Sequence, residues 1–278
     1  MAIFRAGLLL AVLVPALYVA SAAIYLPAVL WHGIRAPRSS ALIEIRERAA
    51  AMEERPFEPR HRWVPLERIS PHLVRAVIVA EDTRFHDHAG FDLEQIREAW
   101  RESRRAGRFV RGASTITQQT AKNLYLSPSR NVLRKLREAM LTAWIEAWLP
   151  KERILELYLN VVELGPGIFG AEAAAREYFG VSAAGLGPSQ AAMLAATLPA
   201  PLMRNPASST PGLRRRQRMI LGRMARWYGG GGEEPSPAEE EAASPVEPAD
   251  EESAAEDPVA PAEGRRPRTL ESQPIEIP

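Results

Sequence analysis

Apolar residues recur three and four positions apart through most of the chain between Arg62 and Tyr228, a spacing that predicts α-helices. The clearest of these helices should end near Pro150, because proline disrupts a helix interior. Its apolar face comprises Leu133, Leu136, Met140, Trp144 and either Ala147 or Trp148. Further helices are predicted at Ile154–Leu159, Ala171–Phe179 and Ser189–Leu198. No Asn-Gly or Asp-Gly hairpin signal separates alternating runs, so the pattern predicts a mostly helical domain.

The run Ala76–Ala80 is continuously apolar. Periodicity does not distinguish a buried strand from a buried helix in so short a run, so both interpretations stay open at the level of the pattern. We expect a helix here only because of the family resemblance that the neighbouring motifs carry.

An uncharged stretch of 25 residues, Gly7–Trp31, lies near the amino terminus. About 20 apolar residues suffice to cross a bilayer, whereas the apolar core of a signal peptide usually has about 7–15. We therefore expect a retained membrane anchor over residues 1–35, although Ala20-Ser21-Ala22 leaves cleavage open. Arg5 precedes the stretch while Arg35 and Arg38 follow it, so the positive-inside rule does not support an extracytoplasmic domain.

The segments on either side of the predicted domain, which spans residues 62–228, differ in composition. Residues 36–61 contain Pro37, Pro56 and Pro59, and we expect a short helix near Ala41–Glu54 within a membrane-proximal linker. Residues 229–278 hold four consecutive glycines and then mostly Pro, Glu, Ala and Ser. This tail lacks the large apolar residues needed to offset the entropy of ordering, so it is predicted to be disordered.

The formal net charge of +1 conceals two oppositely charged regions. Residues 229–278 carry 14 acidic and three basic side chains, and residues 1–228 carry 32 basic and 20 acidic ones. A basic folded region favours an anionic partner, and the apolar amino terminus favours a membrane over nucleic acid. The chain has no cysteine, which excludes disulfides, thiolate metal sites and cysteine nucleophiles.

The segment Glu81–His88 places two carboxylates after an apolar run. Burial raises the pKa of a carboxyl group, which would make Glu81 a usable base near neutral pH. A structural alternative has Glu81 on the surface and Asp82 paired with Arg84. A metal site built from Asp82, His86, Asp87 and His88 is a weaker alternative, because no established ligand spacing is present. Neighbouring helical residues point about 100° apart, so Glu81 and Asp82 should not face one cleft.

Two later segments carry polar and basic groups. Arg111–Asn123 offers hydroxyls, amides and Lys122 for sugar and phosphate oxygens, although a Ser/Thr cap at the start of a helix explains the same residues. Arg134–Glu138 gathers three cations around one acid. Such a cluster suits a phosphate, and a solvated helix face with Arg134 and Glu138 paired remains the alternative.

Read together, these segments resemble the glycosyltransferase domain of class A penicillin-binding proteins. The motifs are Glu81-Asp82-x-x-Phe85-x-x-His88-x-Gly90-Phe91-Asp92, Gly112-x-Ser114-Thr115-Ile116-Thr117-Gln118-Gln119 with Lys122-Asn123, Arg134-Lys135-x-x-Glu138, and Lys151-x-x-Ile154-Leu155-Glu156-x-Tyr158-Leu159-Asn160. No Ser-x-x-Lys or Lys-Thr-Gly motif of a transpeptidase domain follows. The chain is therefore most similar to the monofunctional biosynthetic peptidoglycan transglycosylases.

This resemblance implies a mostly α, lysozyme-like domain that polymerises lipid II into β-1,4 glycan strands, with inversion at the anomeric carbon and release of undecaprenyl diphosphate. By residue matching, Glu81 is the base, Asp82 supports it, and Glu138 assists departure of the diphosphate. The implied substrate-binding residues are Ser114, Thr115, Gln118, Gln119, Lys122, Asn123, Arg134 and Lys135. No cofactor is implied as required, although a divalent cation, Mg²⁺ or Mn²⁺, near Glu138 stays open.

The implied partners are lipid II, the lipid-linked glycan strand and the inner membrane, with the catalytic domain in the periplasm. Other cell-wall synthesis or division proteins stay open as partners. We expect the basic, aromatic stretch Arg101–Val110 to dip into lipid. Two rivals remain, a lysozyme-like lytic enzyme and a catalytically silent membrane scaffold. The cations around Arg134 argue against the first, and the intact glutamates Glu81 and Glu138 argue against the second.

Overall fold

A computed structural model describes residues 5, 13–14, 16–18, 20–110, 112–127, 131–208 and 210–228 of the chain. The predicted acidic tail at residues 229–278 lies outside these residues, as do Arg111 and residues 128–130. Within the described part, the helices are α1 (Leu26–Ile34), α2 (Ala41–Met52), α3 (Pro71–Glu81), α4 (Leu93–Ala106), α5 (Ile116–Tyr125), α6 (Val132–Trp148), α7 (Lys151–Val161), α8 (Ala171–Phe179), α9 (Pro188–Thr197) and α10 (Pro211–Tyr228). The mostly helical fold is thereby confirmed.

Local sequence explains where several helices begin and end. The Ser70 side chain accepts a hydrogen bond from the His72 amide, and Pro71 occupies the first turn of α3, where its missing N–H costs nothing. This start makes the run Ala76–Ala80 helical, which resolves the ambiguity of the apolar pattern. Helix α4 ends at Gly107, whose φ of 67° is a left-handed conformation that glycine adopts readily.

A small sheet was not anticipated from the sequence. Strands β1 (Arg60–His61), β2 (Glu163–Gly165) and β3 (Ile168–Phe169) form it in the order β1-β3-β2. Strand β1 pairs with β3 in parallel and β2 pairs with β3 antiparallel. The strands are two or three residues long, and the hairpin turn uses Gly167 with a φ of 70° rather than an Asn-Gly or Asp-Gly pair. Alternation over so few residues leaves no recognisable pattern.

The core lies between α3, α5, α7 and α9. Helix α7 is the most enclosed, with Ile154, Leu157 and Tyr158 fully buried. Helix α5 packs between α6 and α7, and α9 packs between α3 and α10. These contacts place the carboxyl end of α3 beside α5 and α10, where the chemically interesting side chains meet.

The segment before residue 62 contacts the domain closely. Helix α2 packs on α5, and Arg46 forms an ion pair with the buried Glu163 at 3.0 Å. Strand β1 adds Arg60 and His61 to the sheet. These residues, which the sequence suggested as part of a linker, thus pack as part of the folded unit.

One helix in the described residues, Ala16–Ile34, is long and apolar enough to cross a membrane. We refer to it as the amino-terminal helix; its last nine residues form α1. Length and composition alone do not separate a retained anchor from a signal sequence. Val29, however, is completely buried in the core of the domain.

Candidate active site

Glu81 is the last residue of α3, and its side chain is 12% exposed. The amide nitrogen Nε2 of Gln119 on α5 donates a hydrogen bond to Glu81 Oε2 at 2.9 Å. On the other side, Arg216 Nη2 of α10 lies 3.5 Å from Glu81 Oε1. Three helices therefore fix the position of one carboxylate.

Burial raises the pKa of Glu81 above its ordinary value of 4.5. The charges of Arg216 and Lys122 and the hydrogen bond from Gln119 act in the opposite direction, and the neighbouring Asp82 adds to the rise. Burial is the largest of these effects. A carboxylate with a raised pKa binds a proton more tightly, which is what a general base requires.

Asp82 makes a different set of contacts. It is the first residue after α3, with a φ of −162° and a ψ of 73°, so the end of the helix and not the rotation between helical neighbours sets its direction. Its side chain is only 1% exposed, and Oδ2 accepts a hydrogen bond from the Ile116 amide at 3.0 Å. His88 Nε2 lies 2.9 Å from Asp82 Oδ1, and His88 Nδ1 accepts from the Gly90 amide at 3.1 Å. Because Nδ1 is an acceptor, the proton is on Nε2 and is donated to Asp82. Asp82 thus joins the end of α3 to the start of α5 and supports the site without facing it.

The suggested pairing of Asp82 with Arg84 is wrong. Arg84 instead binds Asp92, with Nε 3.1 Å from Oδ2, and forms an ion pair with Glu94. Asp92 also caps α4 by accepting from the Gln95 amide at 2.8 Å. The acidic pair at the start of α4 therefore holds this arginine away from the candidate base.

In the part of the chain that the structure describes, the alternative metal ligands His86 and Asp87 are exposed and do not join Asp82 and His88 in one group of potential ligand atoms. In the described residues the structure instead brings together Asp82, His88 and Asp92, with potential ligand atoms within 4.8 Å of one another. Hydrogen bonds already occupy this trio, including the His88–Asp82 bond and the Arg84–Asp92 bonds. Its role is to hold the loop between α3 and α4.

The second sequence segment divides into structural and site residues. Thr115 caps α5, and Gln118 completes a reciprocal capping box; both are buried. Ser114 is exposed immediately before the helix, and Asn123 is 7% exposed. Gln119 faces Glu81, with Gln119 Oε1 accepting from the buried Tyr158 hydroxyl at 3.3 Å. The cap interpretation is therefore confirmed for Thr115 and Gln118, and the substrate contacts implied for this segment stay predictions.

Glu138 lies on the first half of α6, and its side chain is only 3% exposed. Arg134 Nη1 donates to Oε2 at 2.7 Å, and Lys135 Nζ donates to Oε1. Asn131 caps the helix just before these residues. Arg137 does not join them, although the sequence suggested three cations; it points to the amino-terminal helix. Glu138 therefore has two cationic partners, Arg134 and Lys135, and both belong to α6.

Lys122 connects the two glutamates. The solvent-accessible area of Lys122 is that of an exposed residue. Protein atoms around its ammonium group nevertheless desolvate it and lower its pKa, and the charges of Glu138 and Glu81 raise the pKa. Arg134 and Lys135 lower it further. The charges of Glu81 and Glu138 both act on Lys122, so the three side chains belong to one electrostatic cluster.

Arg216 was missed by sequence reasoning, because it lies in the run Arg214-Arg215-Arg216, which looks like a solvated face. A signal was nevertheless present. Leu213, Ile220 and Met224 are the buried residues of α10, and position 216 lies on the same face at a spacing of three and four. An arginine in an apolar stripe should have indicated an inward-pointing cation.

The described residues around Glu138 do not fit a divalent cation. Both carboxylate oxygens already accept hydrogen bonds from cationic side chains, and Lys122 lies in the same cluster. Mg²⁺ and Mn²⁺ prefer several oxygen ligands, and an additional positive charge here would be repelled. The cations themselves suffice to bind an anionic group.

Comparison with known proteins gives one family. A family model described as transglycosylase matches residues 48–225. This chain is similar to a protein from Nitrosospira multiformis named biosynthetic peptidoglycan transglycosylase, with 48% identity over 68% of this chain and 82% of that protein. A relative of the same name from Aromatoleum aromaticum is 54% identical over 62% of this chain and 75% of that protein. Another, from Azoarcus sp. strain BH72, is 50% identical over 71% of this chain and 85% of that protein.

Proposed function

Because the chain belongs to the transglycosylase family, we propose that it is a monofunctional peptidoglycan glycosyltransferase that polymerises lipid II into β-1,4 glycan strands. The observation that carries the proposal is the largely buried carboxylate Glu81, held by Gln119 and Arg216, together with the cations Arg134 and Lys135 around Glu138. A glycosyl transfer with a diphosphate leaving group needs both a base and positive charge.

In the proposed reaction, Glu81 accepts the proton of the acceptor sugar hydroxyl on lipid II. The hydroxyl oxygen forms a bond to the anomeric carbon of the lipid-linked strand, and the bond from that carbon to the diphosphate oxygen breaks. The anomeric centre inverts because attack and departure occur on opposite faces. The electron pair of the broken bond stays on the undecaprenyl diphosphate, whose charge Lys122, Arg134 and Lys135 balance.

Surrounding residues prepare Glu81 for this role. Gln119 and Arg216 hold the two carboxylate oxygens, so the group loses little entropy when substrate arrives. Burial strengthens it as a base, while Arg216 limits the rise in pKa so that the carboxyl group still ionises. The balance of these opposing effects should set the acidic limit of activity.

We further propose a single-pass inner-membrane protein with its catalytic domain in the periplasm. The amino-terminal helix supplies the span. Helix α4 supplies a second lipid contact, since Leu93, Ile96 and Trp100 are exposed on one face at helical spacing and only Ala99 is buried. Five arginines flank this face, at positions 97, 101, 104, 105 and 108. Apolar and basic residues together suit an anionic lipid surface, which extends the contact expected at Arg101–Val110 toward Leu93.

The test is polymerisation of labelled lipid II by the purified full-length chain. We expect Glu81→Gln to lose at least about 10²-fold in turnover, the usual contribution of a general base. Glu67→Gln, at an exposed glutamate of the turn Leu66–Arg68, is the matched control and should keep wild-type turnover. Turnover by Glu81→Gln within tenfold of wild type would remove the assignment. Release of fragments from polymeric glycan instead would identify the lytic rival, and absence of turnover by the wild type would favour the scaffold.

A further inference from the structure

The carboxyl half of the amino-terminal helix is joined to the domain at several points. Its Val29 is completely buried. His32 Nδ1 lies 2.8 Å from the Tyr125 hydroxyl at the end of α5, and the two rings stack with centroids 5.7 Å apart. Arg153 of α7 donates to the backbone oxygens of His32 and Arg35 at 2.8 and 2.7 Å, which satisfies carbonyls at the end of α1. This half of the helix is therefore built into the protein.

Arg137 makes the contact nearest the amino terminus. Its Nη2 donates to the backbone oxygen of Tyr18 at 2.9 Å and to Ser21 Oγ, and its guanidinium carbon lies 3.8 Å from the centre of the Tyr18 ring. Its Nε is buried without a hydrogen-bond partner in the described residues. The amino-terminal helix thus offers this partly buried guanidinium group two hydrogen-bond acceptors and an aromatic face.

Helix α6 therefore carries two functions on different faces. Arg134 and Glu138 are one turn apart and share the face of the cationic cluster. Arg137 is next to Glu138 but points about 100° away, to Tyr18. The contact with the amino-terminal helix and the cluster that faces the diphosphate are thus fixed relative to each other by a single helical turn.

The turn of α6 that carries Arg137 adjoins exposed apolar side chains. Val132 and Leu136 of α6 are 76% and 46% exposed. Leu17 and Ile24 of the amino-terminal helix, on either side of the contact with Arg137, are 60% and 79% exposed. Exposed apolar residues on both helices suit lipid contact on this side of the domain.

We propose that Arg137 is a positioning residue that locks α6 to the amino-terminal helix, so that the cations Arg134 and Lys135 are held beside the membrane span. The inference rests on the proposed function. A lipid-linked diphosphate stays at the membrane surface while its polyprenyl chain remains in the bilayer. Loss of the lock should therefore weaken capture of substrate from a bilayer without altering the chemical step.

The test compares two forms of lipid II with the full-length chain. One is undecaprenyl lipid II in phosphatidylethanolamine–phosphatidylglycerol vesicles, and the other is a short-chain lipid II dispersed in detergent. We expect Arg137→Ala to raise KM at least roughly fivefold in vesicles, the scale of a partly exposed cation–π contact, with kcat unchanged. In detergent KM should change by less than twofold. Arg137→Lys keeps the positive charge, so its KM in vesicles should lie between the values of Arg137→Ala and wild type.

Further variants distinguish the lock from a loss of folding. Tyr18→Leu changes only the amino-terminal helix and should also raise the vesicle KM, and combining it with Arg137→Ala should add little. Arg68→Ala, at an exposed arginine, should behave as wild type. An unchanged vesicle KM for Arg137→Ala or Tyr18→Leu, or an equal rise in both media, overturns the inference. Absence of polymer from the wild type in both media would instead overturn the proposed function.

Discussion

Arg216 on α10 lies with Nη2 3.5 Å from Oε1 of Glu81 on α3, so the last helix of the domain contacts the candidate base directly. Both side chains are largely buried, at 18% and 12% exposure. The arginine opposes the effect of burial on the Glu81 pKa. The contact therefore links the carboxyl-terminal helix to the protonation state of the active site.

Replacing Arg216 should shift the pH dependence of activity. Without the guanidinium charge, burial raises the pKa of Glu81 further, and the base becomes protonated at a higher pH. We expect Arg216→Met to move the acidic limb of the kcat/KM–pH profile to higher pH, and Arg216→Lys to move it less. Arg218→Met, at an exposed arginine of the same helix, serves as the control. Superimposable profiles for Arg216→Met and wild type would contradict the electrostatic role.

Glu81→Gln should be more stable than wild type at neutral pH although it is inactive. Burial raises the folded-state pKa of Glu81, so the ionised form is disfavoured in the folded protein relative to the unfolded chain. Wild-type stability therefore falls as pH rises from the ordinary value of 4.5 through the raised value, and glutamine avoids this loss. Urea denaturation at pH 7 should show the gain, and the gain should vanish near pH 4. A variant less stable than wild type at pH 7 would mean that Arg216 outweighs burial.

The neighbouring carboxylate should respond in the opposite way. Asp82 accepts hydrogen bonds from His88 Nε2 and the Ile116 amide in a site that is 1% exposed. Asp82→Asn places an amide group against one of these donors and leaves a buried polar group unpaired. We expect a loss of about 1–3 kcal/mol in the free energy of unfolding. Measured beside Glu81→Gln under the same conditions, an equal or higher stability for Asp82→Asn would remove its supporting role.

Much of this fold followed from periodicity and capping chemistry. The spacing of Leu133, Leu136 and Met140 predicted that α6 is a helix, but its buried face is Glu138, Leu141, Thr142 and Ile145, and Leu136 is 46% exposed. Ser70-Pro71 explains why the apolar run of α3 is helical. The expectation that Glu81 and Asp82 diverge rested on helical rotation, whereas Asp82 is a non-helical cap residue and diverges because α3 ends at Glu81. These features depend on residues within one or two turns, so a sequence carries them directly.

Features built from distant residues were missed. The sheet joins Arg60–His61 to a hairpin near residue 165, with strands too short for alternation to be visible. Arg216 and Arg137 looked like members of solvated basic runs, and only tertiary contact with Glu81 and Tyr18 gives them roles. An arginine at one position carries the same local signal whether it faces water or a buried carboxylate. Only the surrounding apolar stripe separates the two cases.

Removing the carboxylate of the cationic cluster should destabilise the protein and make it respond to anions. Glu138 is buried between Arg134 and Lys135, so Glu138→Gln leaves their charges uncompensated. We expect the free energy of unfolding to fall by about 3 kcal/mol. This is the lower end of the usual loss for a broken buried ion pair, because Lys135 is half-exposed. Inorganic diphosphate should raise the Tm of this variant more than that of wild type, since it replaces the missing charge. Glu152→Gln, at an exposed glutamate of α7, is the control, and an equal response of all three proteins would contradict a diphosphate site.

The last prediction concerns the lipid contact of α4. The chain has no cysteine, so Trp100→Cys gives a single labelling site on the exposed apolar face, at a residue that is 60% exposed. An environment-sensitive fluorophore there should shift to the blue in vesicles containing phosphatidylglycerol, and less in neutral vesicles, because the flanking arginines attract anionic headgroups. Met52→Cys is the matched control, since Met52 is 81% exposed beside Glu53 and Glu54, which anionic lipid repels. Equal emission from the two labelled positions in anionic vesicles would show that α4 stays in water and that the amino-terminal helix alone holds the enzyme at the membrane.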